Sequence, residues 1–343
     1  EPVFDDPDAF WSLVATNGPF PSLQRRVMQS AVESAAITGE WVTPDMEAES
    51  RAGGAKTISV TASFRSYWMQ AGRPLRDDAA WLARHEPFVA SAKRLLDATV
   101  VRPDEIYVNA QVPQSVHPGS CHVDIPKFRG MGRRDFPVWL LTTMRRSGLF
   151  DHWHIPVATA VCWFYDGPGG TYAYWPDGPD APPRQTAHPF TNTAVVGEND
   201  TMFHRGDAAG SPGAEAPAGL TLDSELARID GSTWAVCDHG RELARYGAAE
   251  VRFALSWSAE VYADDTAVRI ADEHLDNLDI DTVLDAFFAD LDARGTPVDR
   301  TDDPLHDVGF IAALARAYRV VPSQFPTDAE TDAVRRREAL IRS

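Results

Sequence analysis

From Glu105 to Tyr262 the apolar residues recur every second position instead of every third or fourth, and this change of period limits what the chain can become. Ile106, Val108, Ala110 and Val112 alternate with Tyr107, Asn109 and Gln111, the pattern of a strand with one face buried. Further strands are predicted at Val138–Met144, Pro156–Tyr165, Thr171–Trp175, Asn192–Val196, Thr201–Phe203, Thr233–Cys237 and Val251–Tyr262. Turn clusters such as Asp166-Gly167-Pro168-Gly169-Gly170 and Pro176-Asp177-Gly178-Pro179 separate them. Short strands at this spacing imply a sandwich or barrel of jelly-roll type. The Gly-, Ala- and Pro-rich stretch 207–219 reads as an exposed loop inserted into it.

Helical periodicity flanks this region. Pro21 and Ser22 open a segment carrying Leu23, Val27, Ala31 and Ala35 and stopping at Gly39, and Ile58, Val60, Ala62 and Phe64 then form one strand. Asp77 and Asp78 open a helix around Trp81 and Leu82, which Pro87 interrupts before Phe88, Lys93, Leu95 and Leu96. Towards the end, Asp281 caps a helix with Val283, Leu284, Phe287, Phe288 and Leu291, closed by Gly295 and Pro297. Another holds Val308, Ile311, Leu314 and Ala315. The expected organisation is mixed α+β: a mainly helical part over 1–104, a β core over 105–262 and a helical region over 263–343. The Leu284/Phe287/Phe288/Leu291 face suits packing on its own domain or a homodimer through the C-terminal helices.

Fifty Asp plus Glu against 32 Lys plus Arg give a net charge of −18 over 343 residues, which opposes nucleic-acid and anionic-membrane partners. Apolar runs fall short of the ~20 residues a bilayer-spanning helix needs, and no basic-then-apolar leader is read at the start. Cys121, Cys162 and Cys237 are widely spaced and lack a CxxC pair, which argues against a disulfide framework and for a reducing, cytoplasmic compartment. A soluble enzyme acting on a small molecule is expected.

His122-Val123-Asp124 follows the first strand of the core and the turn at Pro118-Gly119. Residues two apart on an extended chain share a face, so imidazole and carboxylate converge. His204 ends the run Asn199-Asp200-Thr201-Met202-Phe203-His204, and Arg252 and Ser256 share a face of the last strand. A guanidinium there can take a carboxylate through two parallel hydrogen bonds. An HxD pair alone is more often an ordinary hydrogen-bonded pair; the order of these features along the chain carries more than any one of them.

That order resembles the Fe(II)- and 2-oxoglutarate-dependent oxygenase superfamily over roughly Glu105 to Tyr262, a little under half the chain. Gly169-Gly170-Thr171-Tyr172-Ala173-Tyr174-Trp175 is also similar to the glycine-led strand that family places before its distal histidine. The resemblance implies a double-stranded β-helix (jelly-roll) core and Fe(II) held by His122, Asp124 and His204. It implies 2-oxoglutarate with its distal carboxylate on Arg252, supported by Ser256, and with Asn109 or Tyr107 hydrogen-bonding it from a neighbouring strand. Arg252 lies further beyond His204 than the family pattern has it; the insertion and 220–247 fill the gap, and Arg245 or Arg205 stand as alternative anchors. Two imidazoles and a carboxylate leave three positions open on Fe(II), two for 2-oxoglutarate and one for O2. The implied reaction oxidises a C–H bond of a small molecule and releases succinate and CO2. Hydroxylation is the default, desaturation or cyclisation the alternatives, and Asp124 argues against halogenation. The residues themselves leave open a cupin-like metalloenzyme (isomerase or dioxygenase) that does not use 2-oxoglutarate, and a non-enzymatic β-sandwich ligand-binding protein.

Two further features bear on the substrate. Lys127, Arg129, Arg133, Arg134, Arg145 and Arg146 face only Asp135 locally, and this basic stretch reads either as a solvated face or as a mouth steering an anionic substrate. Trp163 and Tyr165 share one strand side, as do Tyr172 and Tyr174; each set suits the core or the lining of a substrate pocket. His152-Trp153-His154 has same-face spacing too, but in a predicted turn.

Overall fold

The alternating run from Ile106 becomes the interior of a six-stranded antiparallel sheet. Its strand β4 (Val100–Gln111) pairs with β15 (Arg252–Tyr262) on one side and β2 (Ser63–Gln70) on the other. Beyond β15 lie β7 (Val157–Phe164) and the edge strand β10 (Thr193–Gly197), and β3 (Arg73–Pro74) forms the opposite edge. The computed structural model describes residues 2–25, 61–115, 121–320 and 322. Most of the predicted helix from Pro21 (Val27, Ala31, Ala35), Ile58 and Val60 of the predicted early strand, the Pro118-Gly119 turn and 323–343 lie outside the described residues.

The period of two gives this sheet two chemically distinct faces. Phe64 and Trp68 of β2, Ile106, Val108 and Ala110 of β4, Ala160, Cys162 and Phe164 of β7, and Phe253, Leu255 and Trp257 of β15 are all buried on one side. There they meet Phe10, Leu13 and Val14 of helix α1 (Pro7–Thr16) and Phe88 and Ala92 of α2 (Glu86–Leu96). Each large side chain buried this way contributes about 1.5–3 kcal/mol. The other side carries Arg65, Tyr107, Asn109, Gln111, Trp163, Arg252 and Ser256, alternate in sequence with the core residues. Across it lies a three-stranded sheet of β11 (His204–Gly206), β8 (Tyr172–Tyr174) and β9 (Arg184–Gln185), packed through Trp163, Tyr172, Phe190, Ala209 and Ala254.

Several elements differ from expectation. Val138–Met144 is not a strand but opens helix α3 (Val138–Ser147), in which Leu140, Leu141 and Met144 share a buried face. Its β-branched threonines are accommodated because Thr142 and Thr143 hydroxyls donate to the carbonyls of Val138 and Trp139, and Gly148 at φ +70° ends it. Thr201 is turn rather than strand, its N–H and that of Met202 donating to Glu198 O. Pro87 sits in the first turn of α2 rather than breaking a helix, after a 3-10 turn over Asp77–Arg84. The long interval before Arg252 holds β12 (Glu225–Arg228), β13 (Thr233–Asp238) and β14 (Arg241–Gly247), which with β1 (Phe20–Pro21) form a four-stranded sheet. The 207–219 loop is exposed from Ser211, but its start is tucked in: Ala209 is buried and its carbonyl accepts from Gln114 N.

After β15 the chain forms α4 (Asp265–Asp272), α5 (Ile280–Ala293) and α6 (Val308–Ala317). Asp279, not Asp281, caps α5, its carboxylate accepting from Thr282 N at 2.8 Å. Phe287, Phe288 and Leu291 are buried, and Leu284 partly so, against Phe128, Met131, Leu141, Met144 and Phe150 of the same chain. Among the described residues no helix is long and apolar enough to cross a membrane.

Phe287 touches both Phe150 and Tyr318, with ring centroids 5.1 and 5.5 Å apart. Phe287→Ala is expected to lower unfolding stability by about 3–5 kcal/mol, whereas Val308→Ala, at a 63 % exposed position, should stay within about 0.5 kcal/mol. Urea titration followed by circular dichroism measures both; equal midpoints would deny the packing of α5 on α3.

Candidate metal centre

His122 and His204 face each other across an isolated antiparallel bridge. His122 N donates to His204 O at 3.1 Å and His204 N to His122 O at 2.9 Å, which sets the two rings 4.4 Å apart. Two residues on, Asp124 N donates to Asn199 O at 2.7 Å, and Asp124 Oδ1 lies 3.7 Å from His204 Nε2. One donor atom from each of the three residues lies within 4.8 Å of the others. His204 Nδ1 is 3.0 Å from Met202 O; a carbonyl only accepts, so Nδ1 carries the proton and Nε2 presents its lone pair towards Asp124. Burial holds the His204 pKa below its usual value, the His122 charge adding to this and Asp124 opposing it. A neutral ring of fixed tautomer is the form that ligates a metal.

Behind the triad, the polar face of the six-stranded sheet turns towards the three-stranded sheet and carries buried polar groups without hydrogen-bond partners among the described residues. Arg252 begins β15 directly opposite Gln111 of β4. Its Nε donates to Gly170 O at 2.6 Å. Burial lowers its pKa to about 10, with Asp207, Tyr165 and Tyr172 acting the other way, so it stays cationic at neutral pH. Among the described residues it has no ion-pair partner, because the nearby Asp207 is bound at 2.6 Å by Arg205. Arg245 pairs with Glu242 at 2.7 Å on an exposed strand. Next to Arg252, neither amide atom of buried Gln111 has a hydrogen-bond partner among the described residues, nor has Trp163 Nε1. A buried polar atom left unpaired costs about 1–3 kcal/mol, and such atoms grouped beside an unpaired guanidinium mark a place for a ligand. Tyr172 joins pocket to triad, its ring centroid 5.2 Å from Trp163 and 5.8 Å from His204.

Ser256 sits opposite Tyr107 on the pocket face. Asn109 and Tyr107 are both engaged by Arg65, which no motif in the sequence marks: its Nε donates to Asn109 Oδ1 at 2.7 Å and its guanidinium carbon lies 4.0 Å from the Tyr107 ring centroid. Its one sequence signal is a charged residue on the polar side of an alternating strand. Trp163 and Tyr165 are buried in one cluster, and Tyr165 Oη donates to Pro168 O at 2.7 Å. The basic stretch meets acids outside it: Lys127 binds Asp104 and Glu260, Arg129 binds Asp276 and Arg133 binds Glu105, all from other segments, and Arg145 binds nearby Asp151. Arg134 is exposed.

His154 is buried rather than in an exposed turn, with Nε2 2.6 Å from Asp200 Oδ2 and Nδ1 4.0 Å from Glu198. These three also form a group of metal-ligating type. Burial raises the Glu198 pKa, with Asp200 adding to the shift and Arg145 and His154 opposing it. This network anchors the 198–202 turn, whose Asn199 and Met202 carbonyls hold Asp124 N and His204 Nδ1.

No protein-family model matches the chain, and no curated protein matches it. Among solved structures it is similar to an oxidoreductase of the 2OG-Fe(II) oxygenase family from Burkholderia pseudomallei, at 13% identity over 64% of this chain and 81% of that one, with a TM-score of 0.31. It is also similar to HygX from Streptomyces hygroscopicus with nickel, 2-oxoglutarate and hygromycin B bound, at 9% identity over 75% of this chain and 87% of that one, with a TM-score of 0.29. HygX with nickel and 2-oxoglutarate gives the same identity and coverage at a TM-score of 0.27. The case for the site rests on its own geometry.

His204→Ala or Asp124→Ala is expected to weaken Ni(II) or Mn(II) binding by more than ~10–100-fold, the loss seen when even a supporting residue of a metal site is removed. His188→Ala, whose ring meets Gly169 O at an exposed position, should bind as the unaltered protein does. Calorimetric titration of the three variants, with circular dichroism to check folding, decides this.

Proposed function

We propose that this chain is a non-haem Fe(II)- and 2-oxoglutarate-dependent oxygenase with a double-stranded β-helix core, which hydroxylates a C–H bond of a small molecule. One observation carries the reading. Three donor atoms from two segments distant in sequence converge within 4.8 Å, beside a sheet face that carries a cationic Arg252 without an ion-pair partner and a Gln111 amide without a hydrogen-bond partner among the described residues. Two imidazoles with one carboxylate form the facial set that non-haem Fe(II) uses. The pocket residues fit 2-oxoglutarate: a distal carboxylate would satisfy the outer edge of Arg252 through paired hydrogen bonds and meet the Gln111 amide alongside. The six-stranded sheet facing a three-stranded one is the layering such a core requires.

Iron with 2-oxoglutarate supplies, when bound, the oxidising power of O2 coupled to loss of CO2 and formation of succinate. The protein's own groups prepare the place. Gly170 O fixes the Arg252 side chain by accepting from Nε, so the outer guanidinium edge is oriented into the pocket. Met202 O keeps the proton on His204 Nδ1. Trp163, Tyr165 and Tyr172, all buried, exclude water around the bound acid and strengthen its attraction to Arg252. The polar side chains of the sheet face leave room for a small molecule beside the triad.

Anaerobic addition of Fe(II) and then 2-oxoglutarate to the metal-free protein should produce a weak visible charge-transfer band. Iron binding without the band would point to a cupin-like enzyme that does not use the 2-oxo acid, and the proposal would fall. Gly170 has φ +65°, and a Cβ there would stand 2.7 Å from Arg252 Cδ. Gly170→Ala and Arg252→Gln should therefore each weaken 2-oxoglutarate binding by about tenfold or more while Ni(II) still binds, as the same titration reads.

A further inference from the structure

A second arginine on the pocket face has no role in the function proposed above. Arg65 lies opposite Asn109, which in turn lies opposite Ala254. Arg65 is therefore two strands from β15, about 10 Å across the sheet. Its Nε donates to Asn109 Oδ1 at 2.7 Å and its Nη1 to Tyr67 Oη at 3.1 Å. Its guanidinium carbon lies 4.0 Å from the Tyr107 ring centroid and 5.7 Å from that of Tyr67. All these partners are uncharged. Among the described residues no carboxylate forms an ion pair with it, and Glu105, the acid on the same strand face, is bound by Arg133 at 3.0 Å. Nη2 makes no hydrogen bond with a described residue.

A guanidinium removed from bulk water and met only by neutral groups is poorly compensated, because ring faces and single amide or phenol oxygens do not replace its hydration or its counter-charge. Arg65 nonetheless stays cationic: burial acts to lower its pKa, and Tyr107, Tyr67 and Glu105 together outweigh this. Arg65 as a residue is half-buried, and Nη2 is the part of its guanidinium without a partner among the described residues. Tyr67 and Tyr107, with ring centroids 5.3 Å apart, hold the guanidinium from beneath and on the side nearer Ser256. The neutral clamp fixes the direction of the charge without neutralising it, which is the arrangement an anion-binding residue needs.

We infer that Arg65 binds a carboxylate of the substrate that is oxidised, with the body of that molecule running past the edges of the Tyr67 and Tyr107 rings towards the triad. The inference rests on the oxygenase reading and adds the substrate class: a small organic acid carrying an apolar or aromatic portion, held by a site separate from the Arg252 pocket. Two parallel hydrogen bonds from the Nη1/Nη2 edge would grip the carboxylate, and the tyrosine ring edges would border the carbon skeleton.

The test uses the full chain loaded with Ni(II) and 2-oxoglutarate, so that the Arg252 pocket is filled, and benzoate and benzamide as probes equal in shape and different in charge. Tryptophan fluorescence and saturation-transfer NMR follow binding. Benzoate should bind at least about tenfold more tightly than benzamide, Arg65→Gln should abolish that preference, and Arg65→Lys should keep part of it. Equal binding of the two probes to the unaltered protein would overturn the inference, as would a preference that survives in Arg65→Gln. The loading step separates the two failures. If Arg65→Gln no longer takes up 2-oxoglutarate while Arg252→Gln does, Arg65 anchors the co-substrate and the substrate assignment is wrong although the metal site stands. If the unaltered protein takes up no 2-oxoglutarate, the oxygenase reading fails, and the benzoate preference, measured with Ni(II) alone in Arg252→Gln, still decides whether Arg65 is a carboxylate site. Circular dichroism shows which variants are folded, and Arg65→Lys stands in if Arg65→Gln is not.

Discussion

The pairing of β15 with β4 on one edge and β7 on the other is the constraint from which both halves of the molecule follow. Phe253, Leu255 and Trp257 need burial, and their demand sets which way the strand faces. Arg252, Ala254 and Ser256 are consequently delivered to the opposite side, where Gln111, Asn109 and Tyr107 arrive by the same logic from β4. A slip of one residue would push a guanidinium and a hydroxyl into the aromatic core and three large apolar side chains into the pocket. The core thus decides which side chains reach the opposite face, where Gly170 O orients Arg252 and Asn109, with Tyr67 and Tyr107, orients Arg65.

The triad is held differently, by backbone rather than by side-chain packing. Reciprocal hydrogen bonds between His122 and His204 set the rings face to face, and the 198–202 turn adds carbonyls to Asp124 N and His204 Nδ1. That turn is itself tied down by the hydrogen bond from His154 Nε2 to Asp200 Oδ2 and by Arg145, which lies 3.6 Å from Glu198. These contacts offset only part of the cost of burying the group, since burial still raises the Glu198 pKa. A turn tied down in this way holds the candidate donor atoms in place, which would reduce the reorganisation that binding a metal requires.

The parts of the structure legible in the sequence are those determined by local periodicity. β4, β7, β10, β13 and β15 announce themselves through alternation, and α5 and α6 through helical spacing. Val138–Met144 misleads because Val, Trp and two Thr suit a strand, while the deciding fact, a common helical face for Leu140, Leu141 and Met144, becomes visible only when they meet Phe150 and Phe287. The strands β12 and β14 are short or largely exposed and charged, so no apolar alternation marks them. His122, Asp124 and His204 carry a recognisable spacing. Arg65 does not, since its partner Asn109 is 44 residues away and the two meet only through strand register. The basic stretch after Asp124 reads as a patch for the same reason: Asp276, Glu260 and Glu105, which bind its members, are remote in sequence.

Charge distribution then explains why so acidic a chain has a site suited to acids. The net charge of −18 repels a dianion at long range, yet salt screens such interactions beyond about 8 Å at physiological ionic strength. Inside the pocket the balance reverses, because Asp207 is bound by Arg205 and Glu105 by Arg133, while Arg252 and Arg65 keep their charge without an ion-pair partner among the described residues. An acid that reaches the pocket exchanges water for a guanidinium in surroundings of low polarity, where the attraction is several times stronger than in solvent. Pairing the neighbouring acids elsewhere is what leaves Arg252 and Arg65 without an ion-pair partner among the described residues, and on the proposed reading it keeps them available to hold an acid.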